Sequence, residues 1–192
     1  MLFFRRHDAV VDLLANLFRS LGYLVRREGA LPGHDAANMR PGDLVVKHFA
    51  FHDLYIDVSV VGSHRVATPF YNQSLVLPEE LSSSDMRNWM KGLSDSVYMT
   101  AEADKRRSSE DLVTRAGHRF LPFIVGSHGG FGKAAEGLLT SLAATAGLRG
   151  GTSAAWAKLR AMVSINAAVQ RVQTSGFIYG TRDFPGRFDD LL

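Results

Sequence analysis

The sequence predicts a mixed α/β domain, a small sheet flanked by helices, on three observations. Residues His7 to Leu21 repeat apolar side chains at helical spacing. Two β-branched runs, Leu44 to Val46 and Leu54 to Val61, are separated only by Lys47 to Asp53. Beyond them, segments with helix-forming and strand-forming composition alternate.

Val10, Leu13, Leu14, Leu17, Phe18 and Leu21 stand at i, i+3, i+4 positions, so His7 to Leu21 reads as an amphipathic helix ended by Gly22. Tyr23 to Glu28 reads as a strand, with Tyr23, Val25 and Arg27 on one face. Gly29 to Arg40 is rich in turn residues and reads as a loop. Pro41-Gly42 marks a turn before the second strand. Lys47 to Asp53 is too short for a helix and a return, so the two β-branched runs form a hairpin. A turn centred on Ala50 sets Asp43 directly opposite Asp57, on one face and within cross-strand distance.

Gly62 to about Ser84 is broken by Gly62, Pro69, Asn72 and Pro78 and reads as a long connection. Ser82-Ser83-Ser84-Asp85 is set to cap a short helix containing Met86, Trp89 and Met90. A second helix runs from Val97 to about Ala116, stopped by Gly117. Phe120 to Val125 is a further strand, whose Pro122 suits a strand start or a sheet edge. Gly126 to Lys133 turns into a helix from Lys133 to Ala146. After a break at Gly147 to Thr152, a last helix covers Ser153 to Thr174. The order is helix, three strands, helix, strand, helix, helix. Residues 1–175 form one domain and residues 176–192 an irregular tail.

Of the 192 residues, 46% are hydrophobic and 21% charged, the balance of a globular chain. No apolar run reaches the roughly 18 residues that span a membrane. The start, Met1 to Arg6, lacks the order of a secretory signal, so an intracellular protein, cytoplasmic or nuclear, is expected. With no cysteine, disulfides and thiolate metal sites are excluded, and any metal must use carboxylates, histidines or carbonyls. The net charge of +3 is modest, but the basic residues are grouped at Arg5-Arg6, Arg26-Arg27 and Lys105-Arg106-Arg107. Such groups either neutralise phosphates or form a solvated helix face.

Two carboxylates facing each other repel unless a cation lies between them. Glu28, Asp43 and Asp57 are therefore candidate ligands for a hard divalent ion, Mg2+ or Mn2+, which takes one or two carboxylates together with waters and substrate phosphate. Lys105 is the candidate ammonium that orients an attacking water or offsets charge growing on phosphorus. Each residue also has a plainer reading. Asp43 follows Pro-Gly as a turn residue would, Glu28 ends a strand, and Lys105 sits in a charge run. Asp57 is the hardest to explain otherwise, because an ionised carboxylate in an apolar strand is costly without a partner. His7 reads as a capping or surface histidine. Gly126 to Lys133 misses the spacing of a phosphate-binding loop and reads as a tight strand-to-helix turn.

Four motifs, taken in order, resemble the PD-(D/E)XK, restriction-endonuclease-like nucleases, and among them the endonuclease-like domains of mobile-element polyproteins. They are Arg40-Pro41-Gly42-Asp43, Leu54-Tyr55-Ile56-Asp57-Val58-Ser59-Val60-Val61, Ala101-Glu102-Ala103-Asp104-Lys105, and Gly117-His118-Arg119-Phe120-Leu121-Pro122-Phe123-Ile124-Val125. The resemblance extends over most of residues 7–170. It implies a restriction-endonuclease-like core and a metal-dependent endonuclease that hydrolyses phosphodiesters, DNA favoured over RNA, with neighbouring polyprotein domains as possible partners. Asp43 and Asp57 would be the metal ligands, Glu28 would assist as ligand or base, and His7 would be recruited from the first helix. In that family the third strand usually ends acid-x-lysine, but here Ser59 stands two residues after Asp57. Lys105, on the following helix, would then take the lysine's role. Arg26, Arg27, Arg106 and Arg107 would make sequence-independent phosphate contacts. The departure at Ser59 favours the alternative of a catalytically inactive nuclease-like fold that binds nucleic acid or scaffolds a larger assembly.

Overall fold

The computed structural model describes residues 2–28, 31, 40–62, 83–127, 129–150 and 153–178. The chain order is α1 (Leu2–Ser20), β1 (Val25–Arg27), β2 (Leu44–Phe49), β3 (His52–Val61), α2 (Ser83–Arg115), β4 (Arg119–Gly126), α3 (Lys133–Gly150) and α4 (Ala154–Ile178). The mixed α/β class and the order of elements expected from the sequence are both present. Most of the expected connections at 29–40 and 62–84, and the tail beyond Ile178, lie outside the described residues.

The four strands form one sheet in the order β1-β2-β3-β4. The first three are an antiparallel meander, and α2 then carries the chain over so that β4 runs parallel to β3. Among the described strands β4 lies at the edge, which accommodates Pro122, a residue with no N–H to give to a ladder.

Period-two alternation sends the strand side chains into two cores. One face presents Val25, Leu44, Val46, Leu54, Ile56 and Val58 to α1, α3 and α4. Phe18, Leu14 and Phe123 are fully buried there, each burial stabilising the fold by about 1.5–3 kcal/mol. The opposite face presents Val45 and Tyr55 to Val113 near the end of α2, with Leu31 and Phe120 beside them. Asp43 and Asp57 share this second face with Val45 and Tyr55, each two residues away in its strand.

The hairpin register pairs Leu44 with Ile56 and Val46 with Leu54, and its continuation sets Asp43 opposite Asp57. The turn itself is tighter than one centred on Ala50. Phe49 pairs with His52, leaving Ala50 and Phe51 as a two-residue loop, both at positive φ, the geometry whose twist suits a hairpin. A bulge reconciles the two registers. Lys47 and His48 together oppose Asp53, and His48 also has a positive φ. The buried Asp53 carboxylate holds the bulge, accepting from Lys47 Nζ at 2.6 Å and from His48 N at 3.2 Å.

The two helices expected between Ser82 and Ala116 are a single 33-residue helix, α2. No proline interrupts the stretch, and the one glycine, Gly92, costs a helix only about 1 kcal/mol. The last two helices also run further than expected, to Gly150 and Ile178. Among the described residues no helix is long and apolar enough to cross a membrane.

Candidate metal centre

The first element of the site is Gly42. A Cβ there would lie 2.9 Å from the carbonyl oxygen of Ile56, so the absence of a side chain lets the start of β2 close onto β3. The Asp43 side chain then reaches across to the neighbouring strand, and its Oδ2 accepts from Val58 N at 2.7 Å. Asp43's own carbonyl accepts from Glu28 N at 2.8 Å, tying the end of β1 to the same point.

The second element is α2, whose sheet-facing residues recur at helical spacing. Tyr98 donates to Gly129 O at 3.2 Å, and the Glu102 carboxylate accepts from Ala134 N at 2.9 Å in the first turn of α3. A Cβ at Gly126 or Gly130 would strike the Tyr98 hydroxyl, and one at Gly132 would strike Glu102. The glycine-rich segment is therefore a close-packed strand-to-helix turn seated under α2, as its failed phosphate-loop spacing suggested. One helical turn beyond Glu102, Lys105 Nζ donates to Asp57 Oδ1 at 2.8 Å. Leu112, seven residues further on, packs into the second core and holds this face of α2 against the sheet.

The third element is α1. His7 Nε2 lies 3.0 Å from Asp43 Oδ2, and His7 Nδ1 lies 3.3 Å from Asp8 Oδ1. His7, Asp43, Asp57 and Lys105 thus form one chain of contacts linking two helices and two strands.

Its electrostatics are those of two crowded carboxylates. Burial pushes the Asp57 carboxyl up; the Lys105 hydrogen bond and charge oppose this, the neighbouring Asp43 adds to it, and the result is a raised pKa. Burial also pushes Asp43 up, but the hydrogen bonds from His7 and Val58 N, with the charges of His7 and Lys105, outweigh it and hold that carboxyl below its ordinary range. His7 is raised, first by its hydrogen bond to Asp43 and against its own burial, with Asp8 adding to the effect. One carboxylate of the pair is held ionised and the other is biased toward its proton, the pattern of carboxylates that share a site.

Other expected residues lie elsewhere. The Glu28 carboxylate is exposed and paired with the Arg40 guanidinium, so only Glu28's backbone N–H joins the site. Its φ of 50° turns the chain away from β1 at that point. Arg27 bonds Asp12 at 2.7 Å, Arg106 bonds Glu110 at 2.5 Å and Arg107 bonds Asp104 at 3.1 Å, so three of the four expected phosphate contacts already have carboxylate partners. Arg26 is exposed on β1. His48 and His52 have an H-x-x-x-H spacing but fall at the hairpin tip, where it does not align them as it would on a helix.

Asp8, Glu102 and Asp53 make contacts around the site for which the sequence predicts no role. Asp8 and Glu102 had a signal, being respectively adjacent to His7 and one helical turn before Lys105. Asp53 had none, since its partners are set by the bulge.

Asp43 and Asp57 fit the carboxylate share of a magnesium or manganese shell, which waters and substrate oxygens complete. Among the described residues, however, no group of three or more His, Asp or Glu side chains is arranged to hold a metal ion. Lys105 Nζ instead bonds Asp57, and the His7 ring bonds Asp43. No protein-family model, curated protein or solved structure matches this chain.

Proposed function

We propose that this chain is a metal-dependent endonuclease of the restriction-endonuclease-like type, hydrolysing phosphodiesters in nucleic acid, with DNA favoured over RNA. The observation that carries this reading is the opposed pair Asp43 and Asp57, with the Lys105 ammonium 2.8 Å from Asp57. A long helix brings that lysine to the strand where the sequence has Ser59 in place of the family's usual lysine.

A bound Mg2+ or Mn2+ would contribute Lewis-acid activation of water and of the phosphate. Asp43, held ionised by the hydrogen bonds from His7 and Val58 N, would supply one carboxylate ligand. Asp57, held in place by Lys105, would supply the other. The Lys105 ammonium is available to offset charge that develops on a phosphate lying over the pair. Glu28 contributes through its backbone, fixing the start of β2, and its carboxylate is not assigned a catalytic role.

A second reading has its own support. With Lys105 bonded to Asp57 and His7 bonded to Asp43, both carboxylates already have side-chain partners within the protein, as they would in a catalytically inactive nuclease-like module. The two readings separate in one assay: supercoiled plasmid, single-stranded DNA and RNA, each with Mg2+, Mn2+ or EDTA, beside Asp57→Asn. Cleavage that requires the metal and disappears in the variant supports the nuclease. Retention of nucleic acid without cleavage supports the inactive module, and cleavage indifferent to both EDTA and the variant overturns the assignment of these carboxylates.

A further inference from the structure

The last helix is apolar on both sides. Ser153 caps α4, its hydroxyl accepting from Trp156 N at 3.2 Å, which places Trp156 in the first turn. Ile165, Ala168 and Val169 turn inward to the core shared with α1 and α3. On the opposite face, at i, i+3 and i+7, Trp156, Leu159 and Val163 are 58%, 51% and 58% exposed. A helix with one face in the core ordinarily turns polar side chains outward, and an apolar stripe there marks a contact surface. Leu148, in the last turn of α3 and so at the same end of this helix pair, is 90% exposed.

The charge of α4 restricts what fits this face. Ala154–Ile178 contains Lys158, Arg160 and Arg171 and no aspartate or glutamate. Helical spacing puts the exposed Arg160 and Arg171 along one border of the stripe. A second copy meeting α4 face to face would set arginine against arginine, so it is the poorer occupant. The complementary chemistry is an apolar segment carrying acid, and the chain itself contains one. Beyond Ile178, Phe188, Leu191 and Leu192 stand at i, i+3 and i+4, with Asp189 and Asp190 between them. That is the anchor spacing of a short helix laid on an apolar face. The reach suffices. Trp156 lies about 33 Å back along the helix from Ile178, whereas residues 179–192 can extend about 46 Å.

We propose that residues 184–192 of the same chain occupy this face, with Phe188, Leu191 and Leu192 on Trp156, Leu159 and Val163 and the Asp189–Asp190 pair toward Arg160. The proposal is independent of the nuclease reading, because none of these residues belongs to the His7, Asp43, Asp57 and Lys105 cluster.

The test reads the indole of Trp156 in the full chain. Trp89→Phe leaves it the sole tryptophan, and spectra are taken in EDTA without nucleic acid, so that failure of the nuclease reading would not touch the result. Covered Trp156 should emit at a shorter wavelength, and be quenched less by acrylamide, than an indole with its outer face in water. Phe188→Ser, Leu191→Ser and Leu192→Ser together should shift the emission to the red and remove that protection. Arg160→Glu should weaken the protection, and adding Asp189→Arg and Asp190→Arg should restore it. If Trp89→Phe unfolds the chain, the difference between the native spectrum and that of Trp156→Phe gives the same reading. Emission and quenching unchanged by the three serines would overturn the proposal, as would an Arg160→Glu loss that the paired arginines do not repair. Emission that shifts as the protein is diluted would assign the face to a second copy and overturn it as well.

Discussion

Lys105 and Asp57, 48 positions apart in the chain, meet at 2.8 Å across the interface between α2 and the sheet. The Asp57 side chain is only 15% exposed, so the ammonium is its principal compensation for lost water. Because the same contact fixes α2 over the carboxylate pair, stability and chemistry are coupled at this point.

Lys105→Met leaves the mostly buried Asp57 without its cation. The variant should lose about 1–3 kcal/mol of stability at neutral pH, read as a lower midpoint in urea. The loss should shrink in acid, where Asp57 takes up a proton and no longer needs the ammonium. Adding Asp57→Asn to Lys105→Met should recover much of the loss. A double variant as unstable as the sum of its parts would mean that the pair does not interact.

His7 sets a second pH dependence. Its folded pKa is raised above the ordinary 6.5, so its stabilisation is complete below 6.5 and is lost as the pH rises through the folded value. Asp43 is lowered from 3.8, so its share is present above 3.8 and is lost as the pH falls through its folded value. The contact is therefore strongest between those two folded values. In EDTA, the stability difference between the native chain and His7→Ala should be about 1 kcal/mol in mildly acid solution and should diminish above neutrality. A difference that grows with pH would refute the raised pKa.

Metal binding at Asp43 and Asp57 should be visible without turnover. Mg2+ or Mn2+ at a hundredfold excess over its dissociation constant should stabilise the chain by about 2.7 kcal/mol, measured as a higher melting temperature, with EDTA reversing the shift. Asp43→Asn should eliminate the response. Melting unaffected by either ion in the native chain would argue for the inactive module.

Two glycines should behave in opposite ways. Gly42→Ala drives a methyl to within 2.9 Å of the Ile56 carbonyl oxygen, and since that atom is backbone, the two strands must part. A loss of about 1–3 kcal/mol is expected, with weaker metal binding because Asp43 moves as well. Gly137→Ala meets open space on an exposed helix face and should gain up to about 1 kcal/mol. Denaturant midpoints that move in the same direction would contradict the packing at Gly42.

The hairpin and the juxtaposition of its aspartates follow from the local sequence. β2 and β3 are joined by so few residues, and alternate so regularly, that Asp43 and Asp57 must face each other on one side of the sheet. Their register survives even though the turn is one residue tighter, because the Lys47–His48 bulge absorbs the difference. The first helix, the strand at Phe120 and the glycine turn were legible for the same reason, since their signals are local in period and composition.

Which distant side chains complete the site depends on the packing of the whole fold. Glu28 and Lys105 are both charged residues at plausible positions, yet Glu28 turns to Arg40 while Lys105 crosses to Asp57. The continuity of α2 was equally hidden, because the sheet-facing stripe of this helix is polar at Tyr98, Glu102 and Lys105 and becomes apolar only at Leu112 and Val113. Apolar periodicity reports burial against a core, whereas those three residues face a glycine turn, a helix end and a carboxylate, partners that exist only after the chain has folded.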